Sequence, residues 1–304
     1  MKQPIKLYPA FQDYLWGGTH LKATYPACDK SPIAEAWVLS CHPDGDSTVV
    51  GETTTLAQIV AQNPEIVGTK GAKFPFFPIL IKLIDAEKSL SVQVHPDDAY
   101  ALANENSFGK TEMWYVLDCK PNAKLYYGFE RDITKEEFAA RIADNTLTDV
   151  LKAVPVKKGD VFFIPAGTIH AIGEGMLIAE IQQNSNTTYR VYDYGRVGAD
   201  GKPRALHIDK ALAVTDLCPA PAYENADPDV LADCEYFTVK RRSASYDGVV
   251  GEDSFTALLV VDGSATLRYN SGEMALNQYD CVFMPADMGE FTLAGNFEIL
   301  EIGV

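Results

Sequence analysis

Apolar and polar positions alternate over short stretches along most of this chain, and Gly and Pro residues separate the stretches. Alternation with a period of two is typical of strands that bury one face. Such runs predict strands over residues 74–83, 90–94, 112–118, 124–127, 159–164 and 177–182. From Tyr236 to the end, strands and turns alternate without a helical pattern. The chain is therefore predicted to be mainly β, a barrel or sandwich with short helical insertions.

Three stretches carry the signals of those insertions. Residues 53–67 have apolar positions at a spacing of three to four, and Thr55 is placed to cap them. Residues 96–104 start with Pro and two acidic residues, which favours a helical turn because negative charge suits a helix N-terminus. Thr134 and Glu137 form the pattern of a capping box ahead of a further apolar face.

A Pro-rich stretch suggests how the chain is divided. The chain has 304 residues, enough for one large domain or two smaller ones. Residues 219–228 contain three prolines, at positions 219, 221 and 228, and predict a linker. We therefore expect a first domain over residues 1–222 and a second over residues 223–304.

One segment occurs twice. Residues 160–166 read DVFFIPA and residues 280–286 read DCVFMPA, in the same register. Such a repeat indicates one structural unit used twice. Five residues beyond the proline lies His170 in the first copy and Glu290 in the second. We expect the second copy to keep the hairpin without the histidine, so that residues 223–304 form a structural domain lacking metal ligands.

The chemistry begins with the stretch SLSVQVHPD at residues 89–97. Because side chains alternate across a strand, Gln93 and His95 share one face and their valine neighbours share the other. Glu112 and His170, further along, could complete a site, since Zn²⁺ binds imidazole nitrogen and carboxylate oxygen. A single histidine after a strand is more often a structural residue than a metal ligand. Taken together, these residues favour a metal site and structural histidines equally.

The donor set also bears on the kind of reaction. Gln is a weak neutral ligand, and one carboxylate against a divalent ion leaves a formal surplus of about one positive charge. Such a surplus would stabilise an oxyanion or an enediolate on a sugar. Gln93-x-His95 is not the His-x-His of many iron cupins, so activation of oxygen is less favoured.

Charge and cysteine usage limit the partners and the compartment. The net charge of −16 repels nucleic acid and anionic membranes, and an anionic substrate would need the few Lys and Arg residues near the site. The six cysteines are scattered without a Cys-x-x-Cys pair and are predicted to be reduced thiols. No signal peptide or membrane span is evident, so we expect a cytoplasmic protein. The sequence carries no signal of oligomeric state.

Four blocks together resemble a known family. They are SVQVHPDD at 91–98, KTEMWY at 110–115, PAGTIHAIG at 165–173 and NTTYRVYDYGR at 186–196. They look like the blocks of the type I mannose-6-phosphate isomerases, in detail those of the short bacterial branch. The blocks follow the family's order, and with Trp16-Gly17-Gly18 the resemblance spans residues 16 to 196.

The resemblance implies a double cupin of jelly-roll β-barrels that interconverts mannose 6-phosphate and fructose 6-phosphate, an aldose–ketose isomerisation. It implies one Zn²⁺ per chain and a small phosphorylated sugar as the partner. The implied zinc ligands are Gln93, His95, Glu112 and His170. Arg190 and Lys110 match catalytic positions of the family, and Lys82 and Ser91 match positions held to lie near the sugar or its phosphate.

Two questions stay open in the sequence. Arg190 is permanently charged, so the base must be another group: Lys110 with a lowered pKa, zinc-bound hydroxide, or a carboxylate such as Glu174. Asn186 stands where relatives often carry Asp, which leaves the role of that Asp in doubt here. An alternative function is therefore a non-catalytic metal- and phosphosugar-binding cupin module.

Overall fold

The computed structural model describes residues 2–197 and 201–304, and strands account for 42% of the structure against 15% for helices. The predicted mainly β fold with short helical insertions is confirmed. The strands are β1 Ile5–Tyr8, β2 Ala10–Gln12, β3 Glu35–Leu39, β4 Cys41–His42, β5 Gly45–Asp46, β6 Thr48–Val49, β7 Ile79–Ala86, β8 Val92–Val94, β9 Glu112–Cys119, β10 Lys124–Phe129, β11 Leu151–Pro155, β12 Val161–Ile164, β13 His170–Ala171, β14 Met176–Gln183, β15 Tyr189–Tyr192, β16 Val230–Asp233, β17 Thr238–Arg242, β18 Tyr246–Val250, β19 Thr256–Tyr269, β20 Gly272–Asn277, β21 Cys281–Met284 and β22 Gly289–Gly303.

The α-helices are all short. They are α1 His20–Thr24, α2 Leu56–Gln62, α3 Gly68–Gly71, α4 Asp98–Asn104, α5 Lys135–Ala143 and α6 Ile208–Val214, with 3₁₀ turns at Pro64–Val67 and Leu147–Asp149. No helix in the described part of the chain is long and apolar enough to cross a membrane.

The chain forms two compact units. The first contains the segments up to Ala10, Ala36–Lys82 and Glu224–Val304, and the second contains Phe11–Glu35 and Leu83–Tyr223. The chain therefore leaves the first unit after its N-terminal strand and returns to it twice. The predicted assignment of residues 1–222 and 223–304 to a catalytic and a metal-free domain stays a prediction.

The first unit is built on one nine-stranded antiparallel sheet. Its order is β16-β17-β22-β19-β21-β1-β6, with β18 paired to β22 and β20 paired to β19. Apolar side chains that alternate along these long strands form its core, for example Leu258, Val260, Leu267 and Leu293. The prediction that the chain from Tyr236 onward contains strands and no helix is confirmed.

The second unit holds the predicted chemistry. One five-stranded sheet has the order β11-β10-β13-β8-β15, and β12, β9 and β14 are neighbours in another sheet. Val92 and Val94 of β8 pack into an apolar cluster with Phe138 and Ile142 of α5. Helices therefore cover one face of the five-stranded sheet, and residue Gln93 projects from the opposite face.

Two predicted elements have one bound that is wrong by five residues. The helix expected over residues 53–67 is confirmed only as far as Gln62, because Pro64 starts a separate 3₁₀ turn. Thr55 makes the predicted cap, and Gln58 completes a capping box with it. The strand expected from Phe74 begins at Ile79 instead, directly after Pro78.

The two copies of the repeated segment share a strand register. Ile164 pairs with Glu112 in the second unit, and Met284 pairs with Thr256 in the first. In the next strand, His170 pairs with Gln93 and is fully buried.

The equally spaced position in the first unit is Glu290, which is exposed and pairs with Val249, whereas the next residue, Phe291, is buried and pairs with Gly248. The turn is the same in both copies, since the N–H of Thr168 donates to the carbonyl oxygen of Pro165 and the N–H of Met288 donates to that of Pro285. The second copy therefore keeps the hairpin turn and has an exposed glutamate at the position of the buried His170.

Candidate metal centre and active site

Three donor side chains from three strands and loops meet in the second unit. His95 follows β8, Glu112 begins β9 and His170 begins β13, and all three are buried. Their ligand atoms lie within 4.8 Å of one another. His95 Nε2 is 3.5 Å from Glu112 Oε2, and His170 Nε2 is 3.3 Å from Glu112 Oε1. The strand register thus brings together His95 and His170, which are 75 positions apart in the chain.

The two imidazoles are held in the tautomer that a metal ligand needs. His95 Nδ1 lies 2.8 Å from the carbonyl oxygen of Thr187, and His170 Nδ1 lies 2.9 Å from that of Thr168. A carbonyl oxygen only accepts, so each Nδ1 carries a proton and each Nε2 is the ring nitrogen that faces Glu112. Burial lowers the pKa of His170 to about 4, which keeps its ring neutral at pH 7.

Gln93 adds an amide to this group. Its Nε2 lies 3.4 Å from His170 Nε2. A half-turn of the amide exchanges its nitrogen and oxygen, so the same side chain can present a neutral oxygen donor. The four predicted ligand residues therefore lie together. The donor set of two imidazoles, one carboxylate and one amide suits Zn²⁺.

A buried ion pair borders the donor group. Lys110 Nζ lies 2.8 Å from Glu112 Oε2 and 3.3 Å from Glu180 Oε1. Burial by itself lowers the pKa of Lys110, but the carboxylates of Glu112 and Glu180 outweigh it and the pKa lies above its ordinary value. This raised pKa is the opposite of the lowered pKa that Lys110 would need to act as the base.

Arg190 lies on the strand beside the donors. It is the Cα partner of Gln93 in the pairing of β15 with β8. Its Nε donates to Ser91 Oγ at 3.1 Å, and its Nη1 donates to the carbonyl oxygen of Ala205 at 3.2 Å. Ser91 is buried and lies two residues before Gln93. The structure thus brings three of the predicted residues, Ser91, Gln93 and Arg190, to one place.

Two further arginines surround one carboxylate next to Arg190. Arg204 donates to both oxygens of Asp193, at 2.7 and 2.6 Å, and Arg196 donates to Asp193 Oδ1. Burial raises the pKa of Asp193, but the hydrogen bonds from Arg204 and Arg196 outweigh it and hold that pKa below its ordinary value. Burial and then the charge of Arg204 lower the pKa of Arg190. Three guanidinium groups against one carboxylate leave a local excess of positive charge in an acidic protein.

Lys82 belongs to the first unit, unlike the other predicted site residues. It is buried in β7, and its Nζ lies 4.9 Å from the centre of the Trp37 ring. Cation–π contact of this kind holds an ammonium group in a fixed position. Its predicted place near the sugar stays a prediction.

Two other residues that the sequence singled out are exposed. Glu174 is exposed in an open cleft of about 490 Å³ that Glu87, Lys120 and Lys124 also line. Asn186 is exposed in the loop before β15. The structure therefore does not bring Glu174 into the buried donor group.

Sequence reasoning missed two residues that contact the site. Glu180 pairs with Lys110 and accepts from Trp114 Nε1 at 3.1 Å. The sequence could have indicated Glu180, because it is a carboxylate in the middle of β14, whose other residues are apolar or amides. His207, which contacts the backbone of Arg190, lies 17 positions further along the chain and carried no such signal.

Comparison with known proteins agrees with this architecture. The model of the phosphomannose isomerase type I catalytic domain matches residues 5–119, and that of the mannose-6-phosphate isomerase cupin domain matches residues 229–303. The probable mannose-6-phosphate isomerase GmuF of Bacillus subtilis strain 168 is 40% identical over 99% of both chains. Mannose-6-phosphate isomerase ManA of the same strain is 36% identical over 98% of both.

A crystal structure of the mannose 6-phosphate isomerase from Bacillus subtilis has the same fold, with a TM-score of 0.90, 33% identity and 99% of both chains covered. The fold is thus the mainly β double cupin that the sequence predicted, with a candidate metal centre in its second unit. The chain belongs to the type I mannose-6-phosphate isomerase family, a family of enzymes.

Proposed function

We propose that the protein is a zinc-dependent isomerase that interconverts mannose 6-phosphate and fructose 6-phosphate through a cis-enediol(ate). Membership of the family and the names of its full-length relatives support this reaction. The observation that carries the proposal is the convergence of His95, Glu112 and His170 within 4.8 Å. A buried group of imidazoles around one carboxylate has the chemistry of a divalent metal site.

In this proposal Gln93, His95, Glu112 and His170 hold one Zn²⁺ per chain. When bound, the ion supplies positive charge that stabilises negative charge developing on the sugar oxygens. The hydrogen bonds of Thr187 and Thr168 support the assignment, because they orient the imidazole rings and fix their tautomers.

Arg190 and Lys110 have electrostatic roles. Isomerisation moves a proton between C1 and C2, and negative charge develops on O1 and O2 while it does so. The guanidinium of Arg190 remains charged at neutral pH and stabilises that charge rather than removing the proton. Lys110, held by Glu112 and Glu180, balances the buried carboxylates and keeps Glu112 in place.

The substrate class fits the charge around Arg190. The dianionic phosphate of a sugar phosphate is attracted by guanidinium groups, which bind phosphate through paired hydrogen bonds. Arg190, Arg196 and Arg204 supply three such groups against Asp193. Ser91 and Lys82 remain the further predicted contacts of the sugar or its phosphate. The expectations of a cytoplasmic location and of no nucleic-acid or membrane partner rest on composition and stay predictions.

The first prediction concerns the metal. A chelator should abolish the conversion of fructose 6-phosphate to mannose 6-phosphate, and added Zn²⁺ should restore it, because in this proposal the ion supplies the positive charge that stabilises the sugar oxygens. His95→Ala should lose at least about a hundredfold in kcat/KM, the usual effect of damaging a metal site. A coupled assay with purified protein measures both changes.

The matched control is His20→Ala, which changes an exposed histidine of α1. It should retain full turnover. Full turnover of His95→Ala would contradict the metal proposal. Zero turnover of the unaltered protein at saturating substrate and Zn²⁺ would favour the non-catalytic binding module instead.

A further inference from the structure

A histidine outside the donor group is bonded to the backbone of Arg190. The N–H of Arg190 donates to His207 Nδ1 at 3.2 Å, and the N–H of His207 donates to the carbonyl oxygen of Arg190 at 2.8 Å. His207 is the N-cap residue of α6. One of these two bonds depends on the imidazole, and the other would exist with any residue at this position.

The same segment also anchors the guanidinium group. Arg190 Nη1 donates to the carbonyl oxygen of Ala205, two residues before His207, while its Nε donates to Ser91 Oγ. The position of Ala205 therefore follows from where His207 attaches to β15. Moving His207 would displace both the backbone and one of the two anchors of the guanidinium.

We propose that His207 is a positioning residue for the isomerase reaction, one that holds the guanidinium of Arg190 in its working place. The inference rests on the proposed function, because it takes the role of Arg190 from it. His207 touches Arg190 and not the donor group, so its effect passes through Arg190.

The imidazole must be neutral to do this. An N–H group only donates, so Nδ1 has to accept, and a proton on Nδ1 would turn the contact into two opposed donors. The groups that face the ring are Arg190 and Tyr189 on β15, Lys210 on α6 and Glu105 after α4. Burial, then Arg190 and Lys210, lower the pKa of His207, and Glu105 acts against them. The balance favours the neutral ring at pH 7.

The test compares two substitutions at this position. In His207→Ala, kcat should fall about tenfold with little change in KM, as expected when one hydrogen bond that supports a transition-state contact is lost. His207→Asn should recover most of that loss, because the amide oxygen can accept from the N–H of Arg190. Zinc content and melting temperature are measured for each variant, and His20→Asn is the matched control.

The pH profile gives a second readout. The kcat of the unaltered protein should decline as pH falls through the pKa of His207, because protonation removes the acceptor. His207→Asn has no proton to gain and should lose this limb of the profile while zinc content stays constant. If His207→Ala fails to fold, the profile of His207→Asn decides alone.

The outcomes separate the two proposals. Normal kcat in His207→Ala, or an unchanged acid limb in His207→Asn, would overturn the positioning role. Arg190→Ala with full turnover would instead remove the proposed role of Arg190. An inactive Arg190→Ala beside a normal His207→Ala would leave the proposed function intact and overturn only this inference.

Discussion

Lys110, Glu112 and Glu180 form a buried cluster of charges. The ammonium lies between two carboxylates, and Trp114 Nε1 donates to Glu180 at 3.1 Å. By formal count the cluster carries about one negative charge, and a divalent ion on the donor group would bring it to about one positive charge. The arrangement therefore suits a site where a cation is bound and an anionic sugar approaches.

Neutralising Glu180 tests this cluster. In Glu180→Gln, Lys110 keeps only one of these two carboxylate partners, Glu112. The free energy of unfolding should fall by about 1–3 kcal/mol, since a buried charged group loses part of its compensation. Urea denaturation measures the change.

The control for this substitution is Glu174→Gln, because Glu174 is exposed in an open cleft. Its stability should stay within about 0.5 kcal/mol of the unaltered protein, and its turnover should be unchanged. Equal losses of stability in both variants would mean that the buried cluster contributes nothing of its own.

At the scale of elements, β8 serves two functions because its side chains alternate. Gln93 faces the donor group, while Val92 and Val94 face the apolar cluster beneath α5. Because the valines pack against buried side chains, the strand cannot shift by one residue without burying Gln93 and exposing the valines. Core packing therefore fixes the register of the candidate metal site.

Helix α5 belongs to that packing, and its cap can be tested. Thr134 Oγ1 accepts from the N–H of Glu137 at 3.1 Å, which confirms one half of the predicted capping box. The other half is not formed, because the carboxylate of Glu137 accepts from Arg131 instead, at 2.6 and 3.0 Å. Thr134→Ala should lower the free energy of unfolding by about 1 kcal/mol, the usual effect of losing an N-cap.

Urea denaturation also measures this change. Thr134→Ser keeps the hydroxyl and should remain close to the unaltered protein. If Ala and Ser at this position were equally stable, the hydroxyl would not be what stabilises the start of α5.

At the scale of the whole molecule, the two units repeat one strand register with different side chains. Beyond the repeated turn, the second unit has the pair Gln93–His170, and the first has the pairs Val249–Glu290 and Gly248–Phe291. A Cβ on Gly248 would lie 2.4 Å from the ring of Phe291, so the ring fills the space beside the glycine. An apolar ring next to a glycine offers no ligand to a metal.

This comparison predicts the metal content. Elemental analysis should find one zinc per chain in the unaltered protein. His170→Leu should lose it, while Phe291→Leu, the matched change in the other unit, should retain it, because only the former removes a donor. Two zinc ions per chain in the unaltered protein, or zinc retained in His170→Leu, would contradict the assignment of the site to the second unit.

Much of the site was visible in the sequence because its residues lie in short blocks with a fixed spacing. Gln93 and His95 could be assigned to one face from a period of two, and the structure has them there. Glu290 lies at the same spacing beyond its proline as His170 does, yet it is exposed and pairs with Val249. Spacing therefore predicted the shared turn, and only the packing of each unit decided whether the position beyond it is buried.

The amino-acid sequence by itself determined the mainly β fold and the family and indicated the four candidate ligand residues, because alternation, caps and motifs are local properties of a chain. Only the tertiary structure revealed the burial of Lys110 between Glu112 and Glu180 and the bond of His207 to the backbone of Arg190. It also decided that the segment Ala36–Lys82 groups with the C-terminal strands. The physical reason is that these contacts join strands and loops far apart in the chain, and strand pairing, not local pattern, sets which of them meet.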